Sequence, residues 1–157
     1  MTTIELTTRI EAPVERVFDL SRSIDLHRHS ATGTREEAVA GVTTGLIGLD
    51  QEVTWRARHF GLPFQMTVRI TRYDRPTHFR DEMIRGPFAA MVHDHDFEQE
   101  GTATLMRDIF RFASPLGALG GRLVDRVILR PYLHRFLLER NRVIRETAES
   151  DHWNRFL

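Results

Sequence analysis

The stretch that decides the fold runs from Leu119 to Glu149, LGGRLVDRVILRPYLHRFLLERNRVIRETAE. Leu119, Leu123, Val127, Leu133, Phe136, Leu137, Ile144 and Ala148 form an apolar stripe with arginines and glutamates between them. That is the pattern of one long amphipathic helix with a face to bury. Pro131 has no amide hydrogen, and its ring crowds the carbonyl four residues earlier, so a kink is expected near 127–131. Such a stripe needs a broad apolar surface to cover, and the rest of the chain supplies one.

Residues 3–11 alternate Ile4, Leu6, Thr8 and Ile10 against Glu5, Thr7, Arg9 and Glu11, the period of a half-buried strand. The period then changes. Pro13 stands at a helix start, Val14, Val17, Phe18 and Leu20 follow at helical spacing to about Ser21, and SIDLHRHS reads as a second short helix, closed by Gly33. From Thr34 to Ser114 six strands are expected, over 34–40, 50–60, 62–73, 77–85, 89–100 and 102–113. They are divided by Gly41, Gly61, Asp74 with Pro76, Gly86-Pro87, Gly101 and Ser114-Pro115. Short turns imply antiparallel neighbours. The segment 41–49, GVTTGLIGL, is weakly patterned and reads as a mobile loop, and the tail DHWNRFL as frayed or loosely packed.

Seven strands and one long helix make an α+β domain over 1–150, followed by a tail at 151–157. The helix is the one element able to cover the apolar face of a seven-stranded antiparallel sheet. A single helix cannot fill the concavity of a curved sheet. A cavity between the two is therefore expected, and function is expected there.

The composition sets limits. A chain of 157 residues, 41 % hydrophobic and 28 % charged, suffices for one domain with a sizeable core. Basic and acidic residues number 22 each, so no net field draws the chain to nucleic acid or anionic lipid. There is no cysteine, which removes disulfides, thiolate nucleophiles and cysteine-ligated zinc. There is also no lysine, which removes Schiff-base chemistry and the phosphate-binding loop that ends in G-K-[ST]. The start MTTIELTTRIEA has no basic segment before an apolar run, and the longest apolar stretch, Phe88 to Val92, is far below a membrane span. A cytoplasmic address is expected.

Strand phase names the cavity's lining. Val53, Trp55, Ala57 and His59 share one face, as do Phe64, Met66, Val68 and Ile70. In MVHDHDFEQE, residues 91–100, the acids Asp94, Asp96 and Glu98 belong in water, which turns Met91, His93, His95 and Phe97 inward. Arg107 and Arg111 take the outside of the last strand, which puts Thr104, Met106, Asp108, Phe110 and Phe112 inside. Phe79, Asp81 and Met83 make the better inner face of 77–85. With Leu123 and Val127 from the helix, the expected lining is apolar and aromatic, with His59, Asp81, His93, His95 and Asp108 as polar intruders. That is the make-up of a small-molecule pocket.

The opening strand running into IEAPVERVFDL, the GPF turn at Gly86 to Phe88, the HxHxF of 93–97, the GTATLMRD of 101–108 and the SPLGALGG lead-in to a terminal helix together resemble the START-like, helix-grip (SRPBCC) superfamily. The likeness spans essentially the whole chain and is greatest to small bacterial ligand-binding and polyketide-cyclase-like members. It implies a cavity that holds a hydrophobic or aromatic molecule such as a lipid or polyketide. It carries no catalytic residue over, because the superfamily has no common catalytic set. The cysteines of a Rieske centre, found in its ring-hydroxylase members, are missing.

His93 and His95 on one strand face, with Asp108 or Asp81, have metal-ligand character, but hydrogen bonding within a polar cluster, or the orienting of a ligand, is the leading reading; no metal and no cofactor is expected. His95 or His93 poised by Asp108 suits acid–base catalysis on a bound carbonyl compound, a cyclase or dehydratase reaction. No G-x-S-x-G is present, and Ser21, Ser23, Ser30, Ser114 and Ser150 sit in loops or helix ends, which excludes a serine hydrolase of that type. Ser30 beside His27 and His29 reads as helix capping, and GALGG at 117–121 as a flexible lead-in to the helix. Arg56, Arg58, Arg69, Arg72, Arg107 and Arg111 form a basic stripe interleaved with acids, a solvated face and no nucleic-acid surface. A binding protein is thus the leading expectation, ahead of a cyclase or dehydratase and of an interaction module with a vestigial pocket. A monomer or homodimer suits any of them.

Overall fold

The computed structural model describes residues 1–117 and 120–157, so Leu119 of the expected stripe lies outside the described residues. Strands β1 (Thr2–Ile10), β2 (Glu37–Gly41), β3 (Glu52–His59), β4 (Leu62–Asp74), β5 (His78–Arg85), β6 (Ala90–Glu100) and β7 (Ala103–Ala113) form one antiparallel sheet. Its order is β1-β7-β6-β5-β4-β3-β2, so β1 and β2 are opposite edges. The chain crosses between them through α1 (Val14–Ser21), α2 (Ile24–Ser30) and a 3-10 turn, Thr32–Thr34. β2 begins later than the alternation suggests, because that turn is followed by Arg35 in the left-handed region at φ 52°.

The sheet curves around its inner face. Register shifts between Ala38 and Ala40 in β2, and at Thr67/Val68 and Ile70/Arg72 in β4, mark bulges that bend the strands. At the end of β2, Gly41 has φ 74°, and a Cβ there would stand 2.1 Å from the Glu52 carbonyl oxygen, so only glycine fits. α1 seats Phe18, with no exposed surface, edge-on against Tyr73, Phe79 and Phe97 at centroid distances of 5.2–5.5 Å. These aromatic contacts close one end of the molecule.

The C-terminal helix comes in three parts: α3 (Gly121–Val124), a π turn (Asp125–Leu129) and α4 (Arg130–Glu149). The disturbance expected at Pro131 takes the form of this π turn, with the proline in the first turn of α4. The wider turn has already given up the α-type bonding that the proline would break. It also takes up about one extra residue, which rotates what precedes it by roughly 100° relative to α4. Leu123 and Val127, expected in the buried stripe, are therefore 68 % and 61 % exposed, a correction to their placement. Leu137, Ile144 and Ala148, beyond the π turn, are buried as the stripe requires.

Three further expectations change. The segment 41–49 is packed: Ile47 joins the core, Leu46 bridges to Ser23, and the Gly45 amide donates to Asp25 Oδ2 at 2.9 Å. The tail forms a 3-10 helix, Asp151–Arg155, with the Arg16 guanidinium 4.4 Å over the Trp153 ring and the Phe156 carbonyl accepting from Ser23 Oγ. Asp94 lies on the outer face as expected but is 2 % exposed, because Arg80 and Arg111 both donate to its carboxylate and cover it. Arg56 with Glu37, Arg69 with Glu52 and Arg107 with Glu5 pair across the same face. Among the described residues no helix is long and apolar enough to cross a membrane.

Candidate functional site

A cavity of about 760 Å³ opens between the inner face of the sheet and the C-terminal helix. The sheet contributes Trp55, Ala57 and His59 from β3, Phe64 and Met66 from β4, Phe79 and Asp81 from β5, Met91, His93 and His95 from β6, and Phe110 from β7. Val124, Leu129, Tyr132, Leu133, Phe136, Leu137 and Arg140 form the helical wall. Of the residues expected in the lining, five are placed elsewhere. Phe97 turns into the aromatic cluster around Phe18, Met83 sits half-buried beside Gly86, and Leu123 and Val127 face outward because of the π turn. Asp108 is fully buried behind the two histidines.

The central strands bring the polar residues together by register. In the β5–β6 ladder Asp81 faces His93, and in the β6–β7 ladder His95 faces Asp108. The hydrogen bonds run along the diagonals, which long side chains can reach. His93 Nε2 donates to Asp108 Oδ1 at 2.9 Å, and His95 Nε2 donates to Asp81 Oδ2 at 2.9 Å. His95 Nδ1 is also 2.9 Å from Asp108 Oδ1, but off the line of a directed hydrogen bond, so this is a close charge contact. The imidazole centroids lie 3.8 Å apart at a 37° tilt, and the Phe79 ring stacks on His95 at 4.2 Å.

α4 completes the network from the opposite side. Asn141 Nδ2 donates to Asp108 Oδ2 at 2.7 Å and reaches Thr8 Oγ1 at 3.2 Å. Arg140 Nη1 approaches Asp108 Oδ1 at 3.4 Å, and its Nη2 donates to the Ser21 carbonyl at 3.3 Å. Arg140 also lines the cavity. Strand phase could not reveal either residue, but the helix stripe could. Positions 140 and 141 fall between Leu137 and Ile144 on the buried face, and a polar pair there must find a buried partner.

Charge states follow from these contacts. Burial pushes the Asp108 carboxyl up, but the hydrogen bond from His93, the close approach of His95 and the Arg140 charge outweigh it and hold Asp108 well below the usual carboxylate range. Enclosure acts the same way on Asp81, and the His95 hydrogen bond leaves it lowered. Burial pulls His95 down, yet its contacts with Asp108 and Asp81 hold it above the ordinary imidazole value. His93 is lowered, by burial first and then by the neighbouring His95 charge, against the pull of Asp108. Two carboxylates thus face the Arg140 guanidinium and two imidazoles, of which His95 holds a proton more readily than His93. Opposite charges meet within the cluster, the condition on which ionised groups can be buried.

Asp81, His93 and His95 each offer one ligand atom within 4.8 Å of the others, which is metal-like spacing. The donor set is a poor fit to a cation. The Asp81 and His95 atoms already bond each other at 2.9 Å, and the Arg140 guanidinium stands at the same end.

The molecule is thus a helix-grip sheet around a cavity with a buried His/Asp cluster. Residues 1–149 match the family described as polyketide cyclase / dehydrase and lipid transport. The chain belongs to that family. Solved structures share its fold at low identity. The Zhui aromatase/cyclase of a Streptomyces species superposes with a TM-score of 0.74 at 16 % identity, covering 94 % of this chain and 93 % of that one. A Thermus thermophilus protein gives 0.72 at 18 % identity, covering 95 % and 100 %. A major latex-like protein of Panax ginseng gives 0.69 at 15 %, covering 95 % and 98 %. A search of curated proteins found no match. The family's description names both cyclase / dehydrase and lipid-transport roles.

Proposed function

We propose that the protein binds a hydrophobic or aromatic small molecule in the cavity, with Asp81, His93, His95 and Arg140 orienting a polar group of that ligand. The observation that carries this reading is a cavity of about 760 Å³ whose walls are mostly apolar and aromatic, with a few polar side chains among them. Its size lies in the range of small-molecule sites, and apolar walls with a few placed polar groups give affinity together with orientation. Native mass spectrometry of the purified protein is the direct test, as it reads a retained molecule and the assembly state together. In a Trp153→Phe background the remaining Trp55 lines the cavity, so its emission should shift when an apolar probe enters. A protein that retains nothing and shows no Trp55 response to probes would overturn the reading.

One observation favours an acid–base reaction of the cyclase or dehydratase type as the second reading. His93 is neutral, lines the cavity, and is held through Nε2 by a buried carboxylate, which leaves Nδ1 with its lone pair. A neutral imidazole oriented in this way is suited to take a proton from a carbon beside a ligand carbonyl, with the Arg140 guanidinium facing the developing oxyanion. On this reading His93→Phe abolishes turnover of a poly-β-ketone substrate while ligand affinity falls by no more than about tenfold. Equal rates in wild type and variant would leave the binding role alone.

A further inference from the structure

A second polar group lies in the same cavity, apart from the His93/His95 cluster. His27 on α2, Glu36 just before β2, His59 at the end of β3 and Tyr132 in the first turn of α4 all line it. His27 Nε2 lies 2.6 Å from Glu36 Oε2, and His59 Nδ1 lies 2.7 Å from the Tyr132 hydroxyl. The Glu36 side chain is 8 % exposed, and its second oxygen, Oε1, accepts no hydrogen bond among the described residues; His59 Nε2 stands 4.0 Å away. That gap is too wide for a direct bond. It suits a single bridging atom, since an atom about 2.8 Å from both would see them at roughly 90°, within reach of the donor and acceptor directions of one hydroxyl.

The two polar groups are held at a set distance by the helix. Tyr132 and Arg140 are eight residues apart on α4, about 12 Å along its axis. Leu133, Phe136 and Leu137 line the wall between them.

We propose that Glu36 and His59 form a second recognition subsite that takes a hydroxyl of the ligand between Glu36 Oε1 and His59 Nε2. The ligand class is then an elongated, rigid, largely apolar molecule with a hydrogen-bonding group at each end, one for each polar group. This rests on the cavity-binding reading above. The direction of the bonds follows from His59. Burial lowers its pKa, more than the Glu36 charge raises it, so the ring is neutral. The Glu36 carboxylate favours the tautomer whose Nε2–H points at it, with Nδ1 accepting from the Tyr132 hydroxyl. A ligand hydroxyl then donates to Glu36 and accepts from His59, which an ammonium cannot do.

The test uses three rods of one shape: biphenyl, para-hydroxybiphenyl and para,para′-dihydroxybiphenyl, titrated calorimetrically into the full chain. Affinity should rise in two steps, each about tenfold, as the hydroxyls are added. His59→Phe and Glu36→Leu should each remove one step, so that the dihydroxy rod binds no tighter than the monohydroxy rod, with biphenyl affinity unchanged as evidence of an intact cavity. If all three rods bind wild type equally, or if both steps survive in both variants, the subsite is overturned while cavity binding stands. If no rod binds, the cavity reading falls and takes the subsite with it.

Discussion

Asp108 receives four side chains, His93, His95, Arg140 and Asn141, and has no solvent to fall back on. Replacing it with asparagine keeps the shape and removes the charge, which leaves Arg140 buried without the carboxylate it approaches and His95 with Asp81 alone. We expect Asp108→Asn to cost about 3–5 kcal/mol in urea unfolding. Leaving Asp108 in place and removing one of its neutral donors is milder, and Asn141→Ala should cost about 1–3 kcal/mol. The pH dependence has a definite sign. Because the folded protein holds Asp108 and Asp81 low, their contribution is present above the ordinary carboxylate pKa and is lost as pH falls through their depressed values. His95, held high, contributes below the ordinary imidazole pKa, and that contribution is lost as pH rises through its own raised value. His93, held low, opposes folding as pH falls below the ordinary imidazole value. In a histidine NMR titration His95 should therefore lose its proton at higher pH than His93; the reverse order would show that the proton sits on the other ring.

At the scale of elements, the π turn decides which face of the helical segment meets the cavity. Leu123→Glu and Val127→Glu sit on its exposed side and should change stability by no more than about 0.5 kcal/mol. Leu137→Ala, in the buried stripe of α4, should cost about 2–5 kcal/mol by the same chemical denaturation. Comparable losses for all three would mean that the helix runs without the π turn. The apolar stripe identified the helix, and Pro131 marked the place of disturbance, because both are local properties of spacing and missing amide hydrogens. Whether that disturbance becomes a kink or an inserted residue depends on how the sheet takes the segment before it. The strands were legible for the same local reason: alternation placed His93 and His95 inward and Asp94 outward. Alternation cannot tell an acid in water from an acid beneath two arginines, which is why Asp94 looked exposed.

At the scale of the molecule, one helix over a curved sheet leaves unfilled space. Ala57 is buried on the cavity wall, so Ala57→Phe directs a ring into that space. It should lower the affinity of an apolar probe at least tenfold, read by Trp55 emission, with a stability change under about 1 kcal/mol, because the ring enters a void and does not displace a packed neighbour. A large loss of stability would mean that the cavity is packed. The order of elements, the antiparallel pairing, the cavity and most of its sheet-side lining are legible in the sequence alone, since these rest on periodicity and turn chemistry within a few residues. That Arg140 and Asn141 close over Asp108, that Leu123 and Val127 turn away, and that Glu36 and His59 face each other across 4.0 Å emerges only once the chain is folded. Those meetings join residues far apart in the chain, and their geometry depends on sheet curvature and helix phase, which no single segment encodes.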